Sequence, residues 1–222
     1  SAPHAVAQSS FLRSAEQCGT CHDIDNPLLT FDAPSGQFVL NTLNTPAATT
    51  DRLFPLDRSY SEWKLSTFGS SGVSGLDYPG LKRSTGTVSG PITVCQDCHM
   101  PLVSAPTATG GPTRTVGKHQ WVGANTSWQD GIIQVWDPVV ADTRFDATQT
   151  LANKALGTDL LSRAAKLDVS VANGVMAVTV TNNTGHKLPT GYPEGRRMWL
   201  NVRFFNAGGT LLAESGAYDP LT

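Results

Sequence analysis

Two short stretches, CGTCH at residues 18–22 and CQDCH at residues 95–99, decide how this chain folds. Each has two cysteines spaced Cys-x-x-Cys and followed at once by histidine, and together they use all four cysteines of the chain. This pattern is the attachment signature of c-type haem: the two thiols add across the haem vinyl groups, and the adjacent histidine binds the iron from one side. The sequence therefore predicts two covalently bound haems c.

Other uses of paired cysteines fit these residues less well. A redox pair of the thioredoxin type needs no following histidine. A zinc site made from two such pairs usually has them ~15–20 residues apart, whereas most of a domain separates these two. Two disulfides between the pairs would leave both histidines without a role. Haem attachment is the interpretation that accounts for every residue of both motifs.

The motifs themselves assign the attachment residues and the proximal iron ligands. Within each motif the cysteines hold the porphyrin and the histidine binds the iron. Haem 1 would be held by Cys18, Cys21 and His22, and haem 2 by Cys95, Cys98 and His99.

Three stretches resemble the multihaem c-type cytochromes. CQDCHMP, at 95–101, is similar to the Cys-x-x-Cys-His-Met-Pro run that is common in that family, and SAEQCGTCHDIDNP, at 14–27, resembles the same proteins. TNNTGHKLPTGYPEGRRMWL, at 181–200, is similar to a Gly-His-Lys-x-Pro-Thr-Gly segment in their β-rich part. The resemblance implies export, haem attachment outside the cytoplasm, and electron transfer through closely packed haems.

The second face of each iron needs its own ligand or stays open for substrate. Three histidines lie outside the motifs: His4, His119 and His186. The resemblance implies a distal ligand at positions such as those of His4 and His119. His186 lies in a turn rich in proline and glycine, which can hold one imidazole at a fixed point. Two of the three suffice if both haems have two histidine ligands, and the sequence leaves open which histidine serves which haem. If all three bind iron, a third haem would have to come from another portion of the chain or from another subunit, which the sequence also leaves open.

Methionine is the other common axial ligand, and the chain has three. Met100 directly follows His99, so it cannot reach the opposite face of the same haem, and we expect it to pack against a haem edge. Met176 and Met198 stand at alternating apolar positions of predicted strands, and we expect both in the core.

Large aromatic and basic side chains admit two interpretations each. The tryptophans supply large apolar surfaces suited to haem walls, although an ordinary core position is the favoured interpretation for each. They are Trp63, Trp121, Trp128, Trp136 and Trp199. Arg196 and Arg197 fit partners for haem propionates or exposed positions at the end of a strand.

Composition excludes several classes of function. A net charge of −2 gives no support to nucleic-acid binding or to a polybasic contact with a membrane. No apolar run approaches the ~18 residues of a transmembrane helix. Ser1 opens onto a polar stretch without a basic or apolar leader, so we expect any signal peptide to have been removed. The resemblance to the multihaem cytochromes implies that the protein is periplasmic or extracellular.

The pattern of elements predicts a mixed, loop-rich α+β fold with two regions. Residues 1–165 would form the dihaem cytochrome region, with short helices at 8–17, 58–67 and 146–165 and with loops at 25–57, 69–91 and 101–118. Ser59 with Glu62, and Asp146 with Gln149, are the predicted capping pairs, and Gly157 is expected to interrupt the last helix.

Residues 166–222 would form an antiparallel β-sheet. Apolar residues alternate along two strands joined by a turn at Asn173-Gly174, and further strands are predicted at 198–204 and 210–215. One apolar face means that this sheet covers something. Only about four of the roughly seven strands of an immunoglobulin-like sandwich are visible, so we expect a partial sandwich.

These patterns together favour an electron-transfer protein that works as part of a multihaem relay. Its partners would be a redox donor or acceptor protein, or a neighbouring haem subunit in a homo- or hetero-oligomer. Two alternatives remain: a small haem reductase or peroxidase with one open iron site, and a haem-bearing structural subunit of a larger redox complex or filament.

Overall fold

In a computed structural model of the chain, the residues described are 7, 9–42, 53–74, 90–119, 122–123, 125–136, 145–191 and 196–218. Within these ranges the chain forms short helices and small antiparallel sheets joined by loops. The mixed, loop-rich α+β class is therefore confirmed in general terms. No helix in the described ranges is long and apolar enough to cross a membrane.

The first attachment motif begins on a short helix. A 3₁₀ turn over Ser10–Arg13 leads into α1, Ala15–Gly19, where the sequence predicts one helix over 8–17. Ser14 separates the two pieces: its backbone is extended, and its N–H and hydroxyl both donate to the carbonyl of Phe11. Ala15, the first residue of α1, is buried.

The stretch predicted as a loop at 25–57 contains a three-stranded antiparallel sheet. Its strands are β1, Ile24–Asp32, β2, Gln37–Leu40, and β3, Leu53–Asp57, with β1 in the centre. For the described part of this stretch the loop prediction is wrong, because three phenylalanines outweigh the turn-forming composition; residues 43–52 lie outside the described ranges. Phe31, Phe38 and Phe54 pack edge to face in series across the strands, with ring centroids 5.5 and 5.0 Å apart.

Two helices follow where one is predicted. α2 spans Ser59–Leu65 and α3 spans Thr67–Ser70, and they separate at Ser66, whose hydroxyl accepts the N–H of Phe68. The predicted capping pair is wrong, because Ser59 already lies inside α2. The carboxylate of Asp57 accepts both its N–H and its hydroxyl instead.

The second attachment motif lies on α4, Gln96–His99, and a hairpin follows it. β4, Leu102–Pro106, and β5, Thr113–Gly117, pair in register over all five residues, so the predicted loop at 101–118 is wrong. Of the predicted loop at 69–91, residues 75–89 lie outside the described ranges.

Two longer helices come next, α5, Thr126–Trp136, and α6, Ala147–Ser162. The carboxylate of Asp146 accepts the N–H of Gln149 at 2.9 Å, which confirms the cap predicted for α6. Gly157 does not interrupt α6. It permits close packing instead, since a β-carbon there would lie 2.8 Å from the carbonyl oxygen of Gly123.

The C-terminal strands form two separate hairpins rather than one sheet of four strands. β6, Ala165–Ala172, pairs with β7, Val175–Asn182, through the predicted turn, whose two residues both have positive φ. β8, Val202–Phe205, pairs with β9, Leu211–Ser215. Met198 precedes β8 and is 56% exposed, so its predicted core position is wrong.

The buried core lies where the two attachment motifs meet. Ala15, Trp63, Phe68 and Ile92 form its centre, and the partly buried residues packed against them are Tyr60, Val73, Cys95 and Cys98. Apart from this cluster, Val122 is the one other buried hydrophobic side chain in the described ranges. The described part of the chain therefore buries little apolar surface for its length.

Candidate haem-binding sites

Four histidines from distant parts of the chain face each other in two pairs. The ring centroids of His22 and His119 are 6.1 Å apart, and those of His99 and His186 are 6.2 Å apart. Each pair joins the histidine of one attachment motif to a histidine outside both motifs. The pairing is crossed, because His119 follows the second motif yet faces the histidine of the first.

This spacing fits two axial imidazoles on one iron. With a metal–nitrogen bond of about 2.0 Å and about 1.1 Å from a ring nitrogen to the ring centre, opposed imidazoles have centroids about 6.2 Å apart. Both observed distances lie close to this value. The donor set also fits, since neutral imidazole is the usual proximal ligand of haem. Both pairs could therefore hold a haem iron.

The four thiols needed for covalent attachment are free. Cys18 and Cys95, the first cysteine of each motif, are in side-chain contact, so the two attachment sites adjoin. Burial raises the pKa of Cys95 to about 12, with the neighbouring thiol of Cys18 adding to the effect. A buried, protonated thiol is a poor nucleophile, so the predicted thioether formation would require this region to be open.

His99 has the outer contact expected of a metal ligand. Its Nδ1–H donates to the carbonyl of Val122 at 2.9 Å, which leaves Nε2 as the atom with a free lone pair. Burial lowers the pKa of His99, and the other three imidazoles act on it electrostatically in the same direction. The lowered pKa keeps the His99 ring neutral, as metal ligation requires. The electrostatic effect of the other three imidazoles on His99 also indicates that the two histidine pairs lie close together.

The turn that carries His186 is fixed to α2. Glu62 Oε2 accepts the N–H of Lys187 at 3.1 Å and the hydroxyl of Thr190 at 2.6 Å. Gly185 lets the backbone approach the core, since a β-carbon there would lie 2.8 Å from Cδ1 of Trp63. Burial lowers the pKa of His186 against the opposing effect of the Glu62 carboxylate.

The segment that carries His22 is anchored to the same helix. Tyr60 N–H donates to the carbonyl of His22 at 2.9 Å, and Gly19 lies against the Tyr60 ring, where a β-carbon would be 2.7 Å from Cγ. Arg58 is buried and bonds to Asp23, with Nε and Oδ1 2.9 Å apart. α2 therefore fixes both the first motif and the His186 turn.

His119 extends from the end of β5. Its neighbour Lys118 donates its backbone N–H to the carbonyl of Pro101 at 3.0 Å and its Nζ to Oε1 of Gln149 on α6 at 3.1 Å. Both His22 and His119 are exposed, whereas His99 and His186 are partly buried. The two candidate sites thus differ in their access to solvent.

Arg196 bridges the two segments that support the second pair. Its guanidinium donates to the carbonyl of Thr190 and, at 2.7 Å, to Oδ1 of Asn125. Arg197 is exposed. A role for either residue with haem propionates stays a prediction.

The remaining predicted site residues contribute differently. Met100 lies beside β5, with Cε 3.5 Å from the position of a β-carbon on Gly117. Trp63 is in the core, whereas three tryptophans are exposed: Trp128, Trp136 and Trp199. His4 and Trp121 lie outside the described ranges, and their roles stay predictions.

Sequence reasoning missed the residues that position the ligands. The sequence pattern indicates only a helix-capping role for Glu62. Nothing in the sequence distinguishes the carbonyl of Val122, since every residue has a backbone carbonyl. Asp23 directly follows an attachment motif, which is the one signal that it has a structural role there.

No cluster of three or more histidine, cysteine, aspartate or glutamate side chains suited to a metal ion occurs in the described ranges. Comparisons with family models, curated proteins and solved structures found no match for this chain.

Proposed function

We propose that this chain is a dihaem c-type cytochrome, of the kind found among the multihaem cytochromes, that transfers electrons outside the cytoplasm. One observation carries the proposal: each attachment motif has its histidine opposed by a second histidine at the spacing of two axial ligands. The haems would supply one-electron redox chemistry. His22 and His119 would bind one iron, and His99 and His186 the other.

The remaining residues would position these ligands and exclude water. Glu62 and Val122 orient the second pair, and the contact between Cys18 and Cys95 supports attachment sites close enough for transfer from haem to haem. The small buried core supports the same proposal, because two porphyrins would supply apolar surface that the side chains do not. Two histidines on each iron argue against the alternative of an enzyme with an open iron.

A second candidate role, as a haem-bearing subunit of a larger redox complex, is favoured by the β6–β7 hairpin. One face of this hairpin carries apolar residues on both strands, and three of its β6 residues are more than half exposed: Leu167, Val169 and Val171. An exposed apolar face of this kind is typical of an interaction surface. It would add a partner to the electron-transfer role without replacing it.

Intact mass and spin state test the proposal together. The purified chain should exceed its polypeptide mass by two haem groups and keep its colour after extraction with acidic acetone. Electron paramagnetic resonance of the oxidised protein should show only low-spin iron, and carbon monoxide should leave the reduced spectrum unchanged. A colourless extracted chain would refute covalent attachment, and binding of carbon monoxide by the unmodified protein would favour the enzyme.

A further inference from the structure

The two imidazoles of the His99–His186 pair differ in what lies behind them. His99 donates to a neutral backbone carbonyl. His186 instead has a carboxylate behind it, with Glu62 Oε2 3.8 Å from Nδ1. A carboxylate and a carbonyl affect a metal ligand differently, because only the carboxylate adds a full negative charge.

Glu62 is held in place more firmly than a typical surface glutamate. Its side chain is 10% exposed, and Oε2 already accepts the N–H of Lys187 and the hydroxyl of Thr190, which lie on either side of the Leu188–Pro189 bond. Both bonds lie in the turn that carries His186. The carboxylate therefore sets the position of the turn and faces the ring at the same time.

The Nδ1 atom of His186 is buried and makes no hydrogen bond of ordinary geometry among the described residues, although the backbone carbonyl of Ser59 also acts on this ring as an acceptor. The carboxylates of Glu62 and Asp57 both act on the imidazole, and the effect of Glu62, whose Oε2 lies 3.8 Å from Nδ1, is the larger. Partial burial of both partners keeps this interaction from being screened as a surface pair would be.

We infer that Glu62 is the positioning residue for His186 and that its charge lowers the reduction potential of the haem bound by His99 and His186. The inference rests on the proposed dihaem function. Reduction adds one electron to the iron and removes one positive charge, so a fixed negative charge behind an axial ligand favours the oxidised state. No such carboxylate contact is recorded for His22 in the described part of the chain.

The test replaces Glu62 in the haem-loaded protein in two ways. Glu62→Gln keeps an oxygen that can accept from Lys187 and Thr190 but removes the charge. Both haems should stay low-spin, and one of the two midpoint potentials in a spectroelectrochemical titration should rise while the other is unchanged. Glu62→Ala removes the anchor as well, and one haem should become partly high-spin and bind carbon monoxide.

Glu214→Gln is the matched control, because Glu214 lies on β9 in contact with Asn201 and Arg203, and it should leave both potentials unchanged. A titration of Glu62→Gln that superimposes on that of the unmodified protein would overturn the inference. Unmodified protein without two low-spin haems would instead overturn the proposed function, so the two failures are distinguishable.

If Glu62→Gln yields no haem-loaded protein, Thr190→Val removes one anchoring bond with the charge retained. It should increase carbon monoxide binding at one haem, and unchanged binding would count against the positioning role.

Discussion

Gly185 lies against the indole of Trp63 so closely that a β-carbon at this position would be 2.8 Å from Cδ1. This contact joins the His186 turn to the buried core. Gly185→Ala should therefore push the turn away from α2 and destabilise the protein by about 1–3 kcal/mol, the usual cost of overpacking. Thermal unfolding measures the loss, and the carbon monoxide difference spectrum reports whether His186 has moved.

Gly131→Ala is the control for this substitution. Gly131 lies inside α5, and a β-carbon there would have no atom within 4 Å. Alanine favours helix over glycine by up to about 1 kcal/mol, so this variant should be as stable as the unmodified protein or more stable. Equal stability of the two alanine variants would contradict the proposed contact.

The crossed pairing makes a prediction for each distal histidine. His119→Ala should convert only the haem attached at Cys18 and Cys21 to a high-spin form, and His186→Ala only the other haem. Electron paramagnetic resonance gives the fraction of high-spin iron. The variant that carries both His119→Ala and His186→Ala should contain no low-spin iron. His4→Ala should leave both haems low-spin. A high-spin signal from His4→Ala would mean that one of the observed pairs is not a ligand pair.

The ion pair of Arg58 with Asp23 should contribute strongly to stability. Arg58→Ala removes the cation that pairs with the partly buried carboxylates of Asp23 and Asp25, while Asp23 keeps the N–H and hydroxyl of Ser61 as donors. The loss should therefore lie at the lower end of the range of about 3–5 kcal/mol that breaking a buried pair costs. Denaturant unfolding measures this difference. Lys154→Ala removes the more exposed pair with Asp130 and should cost at most about 1 kcal/mol. Similar losses for the two variants would show that the Arg58 pair is effectively solvated.

Gly157 allows α6 to approach the loop that supports His99. A β-carbon at Gly157 would meet the backbone oxygen of Gly123, next to Val122, whose carbonyl accepts the Nδ1–H of His99. Gly157→Ala should therefore lower the unfolding temperature despite the higher helix propensity of alanine, and should alter the spectrum of the haem bound by His99. An increase in the unfolding temperature would mean that α6 tolerates the added methyl group.

Some local features of this chain were predictable, although the cap predicted at Ser59 and the loop predicted at 101–118 are wrong. Long-range features were not predictable. The cap at Asp146 and the Asn173-Gly174 turn depend on neighbouring residues, and both predictions are confirmed. The sheet formed by β1–β3 was missed because its stability comes from phenylalanines that meet only after folding. Gly157 was misinterpreted for the same reason, since the atom that it must avoid lies in another segment.

The same distinction between local and long-range features applies to the candidate sites. The attachment motifs are contiguous, so the sequence indicates the cysteines and proximal histidines directly. His119 and His186 could be proposed as distal ligands, but their pairing depends on how α2 and the loop at Val122 fold against the motifs. Glu62 is separated from the His186 turn by more than half of the chain, and no local pattern connects them.

The two ligand pairs also define two closed loops of chain that overlap. One loop runs from residue 22 to residue 119 and the other from residue 99 to residue 186, so residues 99–119 belong to both. Each bound iron would act as a cross-link that reduces the conformational entropy of the unfolded chain. Because the cross-links interlock, removal of either haem would loosen the segment that the other depends on. The predicted boundary at residue 165 would not separate two independent folding units, and the chain would mature as a single unit only once both haems are in place.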